Sequence, residues 1–335
     1  MAGRSRWLIG LIVPVVAACG DQAAAPPTIG AMTSTTASPS TVALAAPMPS
    51  QGIAVSDADG LTLLTTGGSE LARLNGLEVV PSDVPGPVVV HNTNDETFIL
   101  ASGTAALTRW SSPLVLPLAH GAALARMPTR VLRGDTVLWE PKQNASTFVS
   151  QDRDVVSVAG ESYDLKTQSS FALPDGCGVL SRRTGQVFLS CADPQRVTGS
   201  LAVLDSEGKR HDIAPLIGAT PRHRPPGDPI GSYRAATVSP DGKSLLVQFS
   251  GQCEFPVAVF VPVDGGEPQP AGGQIAESTA LGWTDEGNAL VRFSEGLCGS
   301  GVPTPGLYSL EPGGEPHLIK ALGREARVAM WSPIP

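Results

Sequence analysis

Arg234-Ala235-Ala236-Thr237-Val238, then Ser239-Pro240-Asp241-Gly242-Lys243, then Ser244-Leu245-Leu246-Val247-Gln248-Phe249: this stretch decides the fold. An apolar run meets a glycine-containing turn, and a second apolar run follows. A third run, Pro256 to Val263, ends at Asp264-Gly265-Gly266, and a weaker fourth comes after it. The pattern returns at Thr279 to Phe293, with Thr284-Asp285-Glu286-Gly287-Asn288 as the turn and Gly306 to Leu310 as the third run. Gly313-Gly314-Glu315-Pro316 closes that unit as Gly265-Gly266-Glu267-Pro268 closes the one before. The period is about 45 residues, which is the span of four short strands. Runs of four to eight apolar and β-branched residues bounded by glycine turns read as strands.

Five turns obey one rule. Ala58-Asp59-Gly60, Arg183-Thr184-Gly185, Ser206-Glu207-Gly208, Pro240-Asp241-Gly242 and Asp285-Glu286-Gly287 each lie between apolar runs. Each fits a type I turn followed by a left-handed residue, where glycine takes positive φ at no steric cost. Stacked antiparallel hairpins are the expectation.

Ser239-Pro240-Asp241-Gly242-Lys243 followed by Leu245-Leu246-Val247 resembles the repeat of TolB-type, WD40-like (PD40) β-propellers. Residues 230–335 and 175–215 carry the resemblance, and 77–172 do not. The resemblance implies an all-β ring of six or seven blades around a central channel. It implies no single activity, because relatives include binding modules, peptidase accessory domains and enzymes. Units fall near 86–120, 122–172, 175–217, 230–272 and 276–320. Val328 to Pro333 matches a lone first strand, and the runs Gly52 to Asp57, Leu61 to Thr66 and Ser69 to Leu74 lack one. The expectation is therefore six four-stranded blades, with the ring closed by the C-terminal strand pairing with the N-terminal blade.

Composition agrees. Of 335 residues 41% are hydrophobic, enough for a core, and 37 glycines and 31 prolines supply the turns. The net charge of −8 argues against nucleic acid as a partner, since phosphate binding needs a basic footprint.

The N-terminus reads as an address. Arg4 and Arg6 precede the short apolar run Trp7 to Val15, and Val16-Ala17-Ala18-Cys19 follows. The run is too short for a membrane span of about 20 residues and reads as a secretory signal. The cysteine after the small pair resembles the lipobox of bacterial lipoproteins. That resemblance implies cleavage after Ala18 and acylation of the Cys19 thiol, and two or more chains anchor stably. Losing residues 1–18 removes Arg4 and Arg6 from 23 basic residues, setting 21 against 31 acidic ones, a net of −10. Residues 20–49 are alanine, threonine, serine and proline with Asp21 as the sole ionisable side chain, too poor in large apolar groups to offset their own ordering entropy. The chain thus divides into a signal peptide (1–18), a lipid-anchored disordered linker (19–49) and a propeller domain (50–335). The expected location is the cell membrane, lipid-anchored on the extracytoplasmic side.

Four cysteines remain after Cys19, and an exported chain permits three pairings among them. The repeat selects one. Cys177 and Cys191 are symmetric about Thr184 in a hairpin, and Cys253 and Cys298 occupy equivalent connections of adjacent blades. The expected disulfides are Cys177–Cys191 and Cys253–Cys298. No C-x-x-C pair, H-E-x-x-H helix, G-x-S-x-G elbow or phosphate loop is present, so no metal, cofactor or catalytic residue is assigned. The five histidines are scattered. Asp241 and Glu286 sit in turns, where carboxylates bond local backbone. Pro221-Arg222-His223-Arg224-Pro225-Pro226 is a proline-stiffened basic cluster in an acidic chain, placed by propeller topology on the face of the second-to-third-strand loops. Arg222, His223 and Arg224 are candidate contacts for an acidic partner or ligand.

Two functions fit. One is a monomeric surface binding or scaffold module that presents a propeller face to a protein or small ligand. The other is a hydrolase or lyase acting on an exported polymer at the channel. Clustered carboxylates or a histidine constellation at the channel mouth would mark the enzyme, and a channel filled with small apolar side chains would mark the binder.

Overall fold

The apolar runs form strands because both of their faces find partners. A computed structural model describes residues 41–333, except 83, 111–114, 127, 143–146, 159, 175, 184–185, 194–197, 206, 216–231, 251–255, 274–275 and 295–303. Its strands group into seven antiparallel sheets, the blades of a β-propeller. Blade 1 joins Gly52–Asp57, Gly60–Leu64 and Glu70–Leu74 to the C-terminal Arg327–Trp331. Blade 2 holds Leu77–Val79, Val88–Asn92, Thr97–Leu100 and Ala106–Trp110. Blade 3 holds Val115–Pro117, Ala123–Arg126, Thr129–Arg133 and Thr136–Trp139, and blade 4 Thr147–Val149, Val155–Val158, Glu161–Asp164 and Ser169–Ala172. Blade 5 is Cys177–Arg183, Gln186–Asp193, Thr198–Leu204 and Arg210–Pro215. Blade 6 is Ser232–Val238, Ser244–Ser250, Pro256–Pro262 and Gln269–Pro270, and blade 7 is Ser278–Trp283, Ala289–Phe293, Gly306–Leu310 and His317–Ala321.

The expected six blades are corrected to seven, and the expected closure is corrected too. No sheet is closed by hydrogen bonds. What the C-terminal strand does is complete blade 1, pairing antiparallel with Gly52–Asp57 from Gly52↔Trp331 to Ser56↔Arg327. The count failed in residues 77–172. Leu77–Val79 is a strand of only three residues directly after the Asn75-Gly76 turn, too short to show a period, so the frame slipped by one strand. The span 122–172 then took in seven strands, each of three to five residues. The turns there, such as Arg133-Gly134-Asp135, place glycine outside the repeat's frame.

The ring is held by packing. Successive side chains of a strand point to opposite faces. In blade 1, Ile53 and Val55 join Leu281, Leu290 and Leu307 of blade 7, while Ala54 joins Leu77, Val79 and Val88 of blade 2. Similar apolar clusters fill the seams between blades 3 and 4, 4 and 5, 5 and 6, and 6 and 7. No described cluster spans blades 2 and 3. Fourth strands are half solvated, and Glu70–Leu74 and His317–Ala321 show mostly exposed residues. The strong apolar signal therefore comes from the first three strands of a blade.

Local details follow the turn chemistry. Gly242 and Gly287 have φ of 76° and 90°, and their N–H groups bond the carbonyls of Ser239 and Thr284 at 2.9 and 3.0 Å. Asp241 Oδ1 accepts the Lys243 N–H at 3.0 Å, the local bond anticipated for this carboxylate. A fifth strand, Thr41–Ala43, pairs with Ala106–Trp110 at the outer edge of blade 2, and Met48 is buried. Both lie within the 19–49 span.

Cys177 and Cys191 are disulfide-bonded, with Cα atoms 4.0 Å apart and both residues buried. The strands around them end at Arg183 and Gln186, which pair directly, and a bulge between Val179 and Ser181 shifts the register by one so that Cys177 faces Cys191. Equivalent bulges occur in the first strands of blades 6 and 7. The bond spans 14 residues of chain. Closing a loop of that size is worth about 3 kcal/mol in the chain-entropy model. Cys177→Ser with Cys191→Ser should lower the melting temperature to the value that the native protein shows in reductant. A double variant as stable as the oxidised native protein would contradict this.

Candidate functional site

Residues of five blades meet at one cavity of about 320 Å³. Met330 comes from blade 1, Pro85 from blade 2, Gln151 from blade 4, Thr237 from blade 6 and Trp283 from blade 7. Blades so far apart in the ring converge only at its axis, so the cavity is the mouth of the central channel. Pro240, Asp152 and Asp285 also line it.

The channel beneath is stoppered. The connection between the first two strands of blade 2 carries Val84-Pro85-Gly86, all buried. Pro85 Cγ lies 2.7 Å from the point where Gly282 of blade 7 would carry a Cβ, and Met330 Sδ lies 2.9 Å from it. The Gly86 N–H reaches the Met330 carbonyl at 3.4 Å.

Arg153 holds this plug from blade 4. It is 1% exposed, with φ of 54°. Its Nε donates to the Pro85 carbonyl at 2.7 Å and its Nη2 to the Val84 carbonyl at 2.7 Å, with Ser82 Oγ at 3.3 Å. Nη1 donates to the Pro117 carbonyl of blade 3 at 2.8 Å. A side chain on Gly86 would collide with the guanidinium. One arginine thus ties blades 2, 3 and 4, across the seam where no described apolar cluster lies. Burial pulls its pKa down to about 9, so it remains a cation at neutral pH, held by neutral acceptors.

Amides brace the mouth. Gln151 Oε1 accepts the Val238 N–H of blade 6 at 2.8 Å and the Ser181 hydroxyl of blade 5 at 3.0 Å. Gln51 Oε1 accepts the Asp285 N–H at 3.1 Å, and Gln51 Nε2 donates to the Trp283 carbonyl at 3.4 Å. The Trp283 indole N–H donates to the Thr237 carbonyl at 3.0 Å. These bonds between blades brace the mouth.

A larger, open groove of about 830 Å³ separates blades 1 and 2. Its acidic groups serve local bonds: Asp57 Oδ1 accepts the Asp59 N–H at 2.9 Å, and Glu78 pairs with Arg327 at 3.1 Å. Between blades 4 and 5, burial opposes ionisation of Asp164, but the Arg182 guanidinium and the N–H groups of Thr167 and Lys166 outweigh it and hold the carboxyl below its usual range.

Cys19, Arg222, His223, Arg224, Cys253 and Cys298 lie outside the described residues. The residues that build the mouth were not legible as a site. Gln151-Asp152-Arg153-Asp154 reads as an ordinary polar turn between strands, and Asp285 as a turn carboxylate. Among the described residues no group of three or more His, Cys, Asp or Glu side chains is placed to hold a metal ion, and no helix is long and apolar enough to cross a membrane.

No protein-family model matches the sequence, and no curated protein matches it. Solved structures match the shape. The fold is a β-propeller that resembles TolB-type proteins. A TolB from Acinetobacter baumannii is 14% identical over 76% of this chain, with a TM-score of 0.43, and this chain spans 65% of its length. Prolyl endopeptidase structures give 10% identity over 87% of this chain, with a TM-score of 0.50, and half of their length is covered. At such identity the likeness concerns the fold.

Proposed function

We propose that this protein is a lipid-anchored, extracytoplasmic binding or scaffold module that presents the channel mouth to a partner or small ligand. The observation that carries the reading is the stoppered axis. Val84-Pro85-Gly86 fills the channel with small apolar groups, and the cavity left above it is shaped and braced by five blades. A rigid concave site with a few convergent polar groups is what recognition requires. A polymer-processing site would instead need an open channel and a catalytic constellation. The proposed anchor is the acylated Cys19 after removal of residues 1–18, with the following alanine-, threonine- and proline-rich segment as tether. Arg222, His223 and Arg224 are proposed as a second contact for an acidic partner, and Cys253–Cys298 as a bond between blades 6 and 7. The protein acts as a monomer in this reading.

Replacing Cys19 with serine and fractionating cells tests the anchor. The variant should keep its unprocessed mass and carry no acyl chains, whereas the native protein should begin at an acylated Cys19. A native protein that carries no acyl chain at Cys19 would defeat the anchor. Crosslinking the native protein in its own membrane, followed by pull-down, should recover a discrete partner or ligand. Its loss when Asp285 and Gln151 are both replaced would place that contact at the mouth.

A further inference from the structure

Asn75-Gly76 is the chain's sole asparagine–glycine pair. It forms the exposed turn that leads from the Glu70–Leu74 strand of blade 1 to the Leu77–Val79 strand of blade 2. Among the described residues nothing bonds the Asn75 side-chain amide, and nothing accepts from the Gly76 N–H. Gly76 has φ of 70°, and no atom lies within 4 Å of the point where it would carry a Cβ. Gly60 of blade 1 also lacks the Cβ that would sit 3.4 Å from the Gly76 nitrogen. Two glycines thus leave that nitrogen bare. The other asparagines differ. Thr93, Asp95, Ala145 and Ala289 follow Asn92, Asn94, Asn144 and Asn288, so each of those next nitrogens lies beside a Cβ. Asn92 is also held in place. Its Nδ2 donates to Glu96 Oε2 at 2.7 Å, and its Oδ1 accepts the N–H groups of Asn94 and Glu96 at 2.9 and 2.8 Å.

We propose that Asn75 is a site of spontaneous covalent modification, converting to aspartate and isoaspartate. The Gly76 nitrogen attacks Asn75 Cγ and gives up its proton. A cyclic imide forms, and the side-chain nitrogen takes the proton and leaves as ammonia. Water then opens the ring. Attack at Cγ restores the ordinary backbone with an aspartate side chain. Attack at the backbone carbonyl leaves the chain running through Cγ, longer by one methylene. Nothing is oxidised or reduced, and water is the only co-reactant. Either product brings a new negative charge to the groove between blades 1 and 2, which Asp57, Asp59, Glu78 and Asp95 already line. Arg327 there is paired with Glu78 at 3.1 Å. Isoaspartate does more. It lengthens the connection just before Leu77 and Val79, which are buried in the seam between the two blades. The Val79 N–H bond to Ser56 Oγ, 2.9 Å long, is the first that a longer connection would disturb. This chemistry is independent of the channel mouth.

The test holds the native full-length protein for several days in warm, mildly alkaline buffer, then digests it with trypsin and sequences the peptides by electron-transfer fragmentation. One peptide, Leu74 to Arg109, carries Asn75, Asn92 and Asn94 together. Position 75 should change from amide to acid about tenfold or more faster than position 92, the fold-change to which one charge-assisted hydrogen bond corresponds. Fragment ions should show both aspartate and isoaspartate there. Asn75→Gln should block the conversion and keep its melting temperature on ageing. Asn75→Asp supplies the charge without the longer backbone, so it should melt above the aged native protein. No conversion at position 75, or conversion at position 92 or 94 as fast as at 75, overturns the proposal. An aged native protein, converted at position 75, that melts where Asn75→Asp does overturns the effect on the seam.

Discussion

Deletion of residues 326–335 should strongly destabilise the propeller. The segment carries the strand Arg327–Trp331, which forms five register pairs with Gly52–Asp57 and is the first strand of blade 1. Its loss strips an edge of that blade and takes Val328 and Met330 from the seam with blade 7, and Ala329 and Trp331 from the seam with blade 2. Trp331 is 0% exposed, its indole N–H donates to the Pro49 carbonyl at 3.1 Å, and its ring occupies the space that a side chain at position 52 would need. A buried tryptophan truncated to alanine costs about 3–5 kcal/mol. Removing the whole strand should cost more, lowering the melting temperature by about 10 °C or more for a domain of this size. Trp331→Ala alone should give a smaller shift in the same direction. A truncated protein that melts within about 2 °C of the native one would mean that the C-terminal strand does not complete blade 1.

Arg153→Met should produce the largest effect of any single charged-residue change described here. The substitution leaves the carbonyls of Val84, Pro85 and Pro117 without their donor in a buried site. Each unpaired buried acceptor costs about 1–3 kcal/mol, offset in part because the variant no longer desolvates a charge, so a net loss of about 2–4 kcal/mol is expected. Arg153→Lys should not rescue it, because an ammonium cannot reproduce the planar fork that spans three carbonyls. The pH dependence has a definite sign. The folded-state pKa of about 9 lies well below the ordinary arginine value. Carrying the cation into the interior therefore costs stability below pH 9, and that cost fades as the pH rises above 9 towards the ordinary arginine value. The methionine variant should lack this alkaline dependence. Hydrogen exchange supplies a local readout: amides 84–86 should lose protection in the variant, while those of blade 6 should not. Unchanged protection of the plug would refute the clasp.

Much of the architecture was legible in local chemistry. Repeating apolar runs of four to eight residues and x-x-Gly turns specify hairpins, because positive φ and alternate side-chain faces are properties of a few neighbouring residues. Blades 6 and 7 were readable strand by strand from Ser239-Pro240-Asp241-Gly242-Lys243 and Thr284-Asp285-Glu286-Gly287-Asn288. The Cys177–Cys191 pair was readable for the same reason, although a bulge, and not a three-residue loop, sets its register. The strand Val328 to Trp331 was recognisable as a blade's missing first strand because it repeats the pattern of its equivalents.

The blade count and the site were decided only by the tertiary structure. Residues 77–172 fold into three blades whose strands are too short, and whose turns are too varied, to show a period; what defines them is packing across seams such as the stacked Trp139 and Tyr163 rings, 5.8 Å apart. The mouth is a stronger case. Gln51, Gln151, Thr237, Asp285 and Arg153 are separated by up to 234 residues, and each alone reads as a turn or an ordinary strand position. Sequence determines short-range geometry, since turns and strand faces depend on adjacent residues. Convergence at a ring axis depends on the sum of seven rotations between blades, and no local pattern encodes that sum.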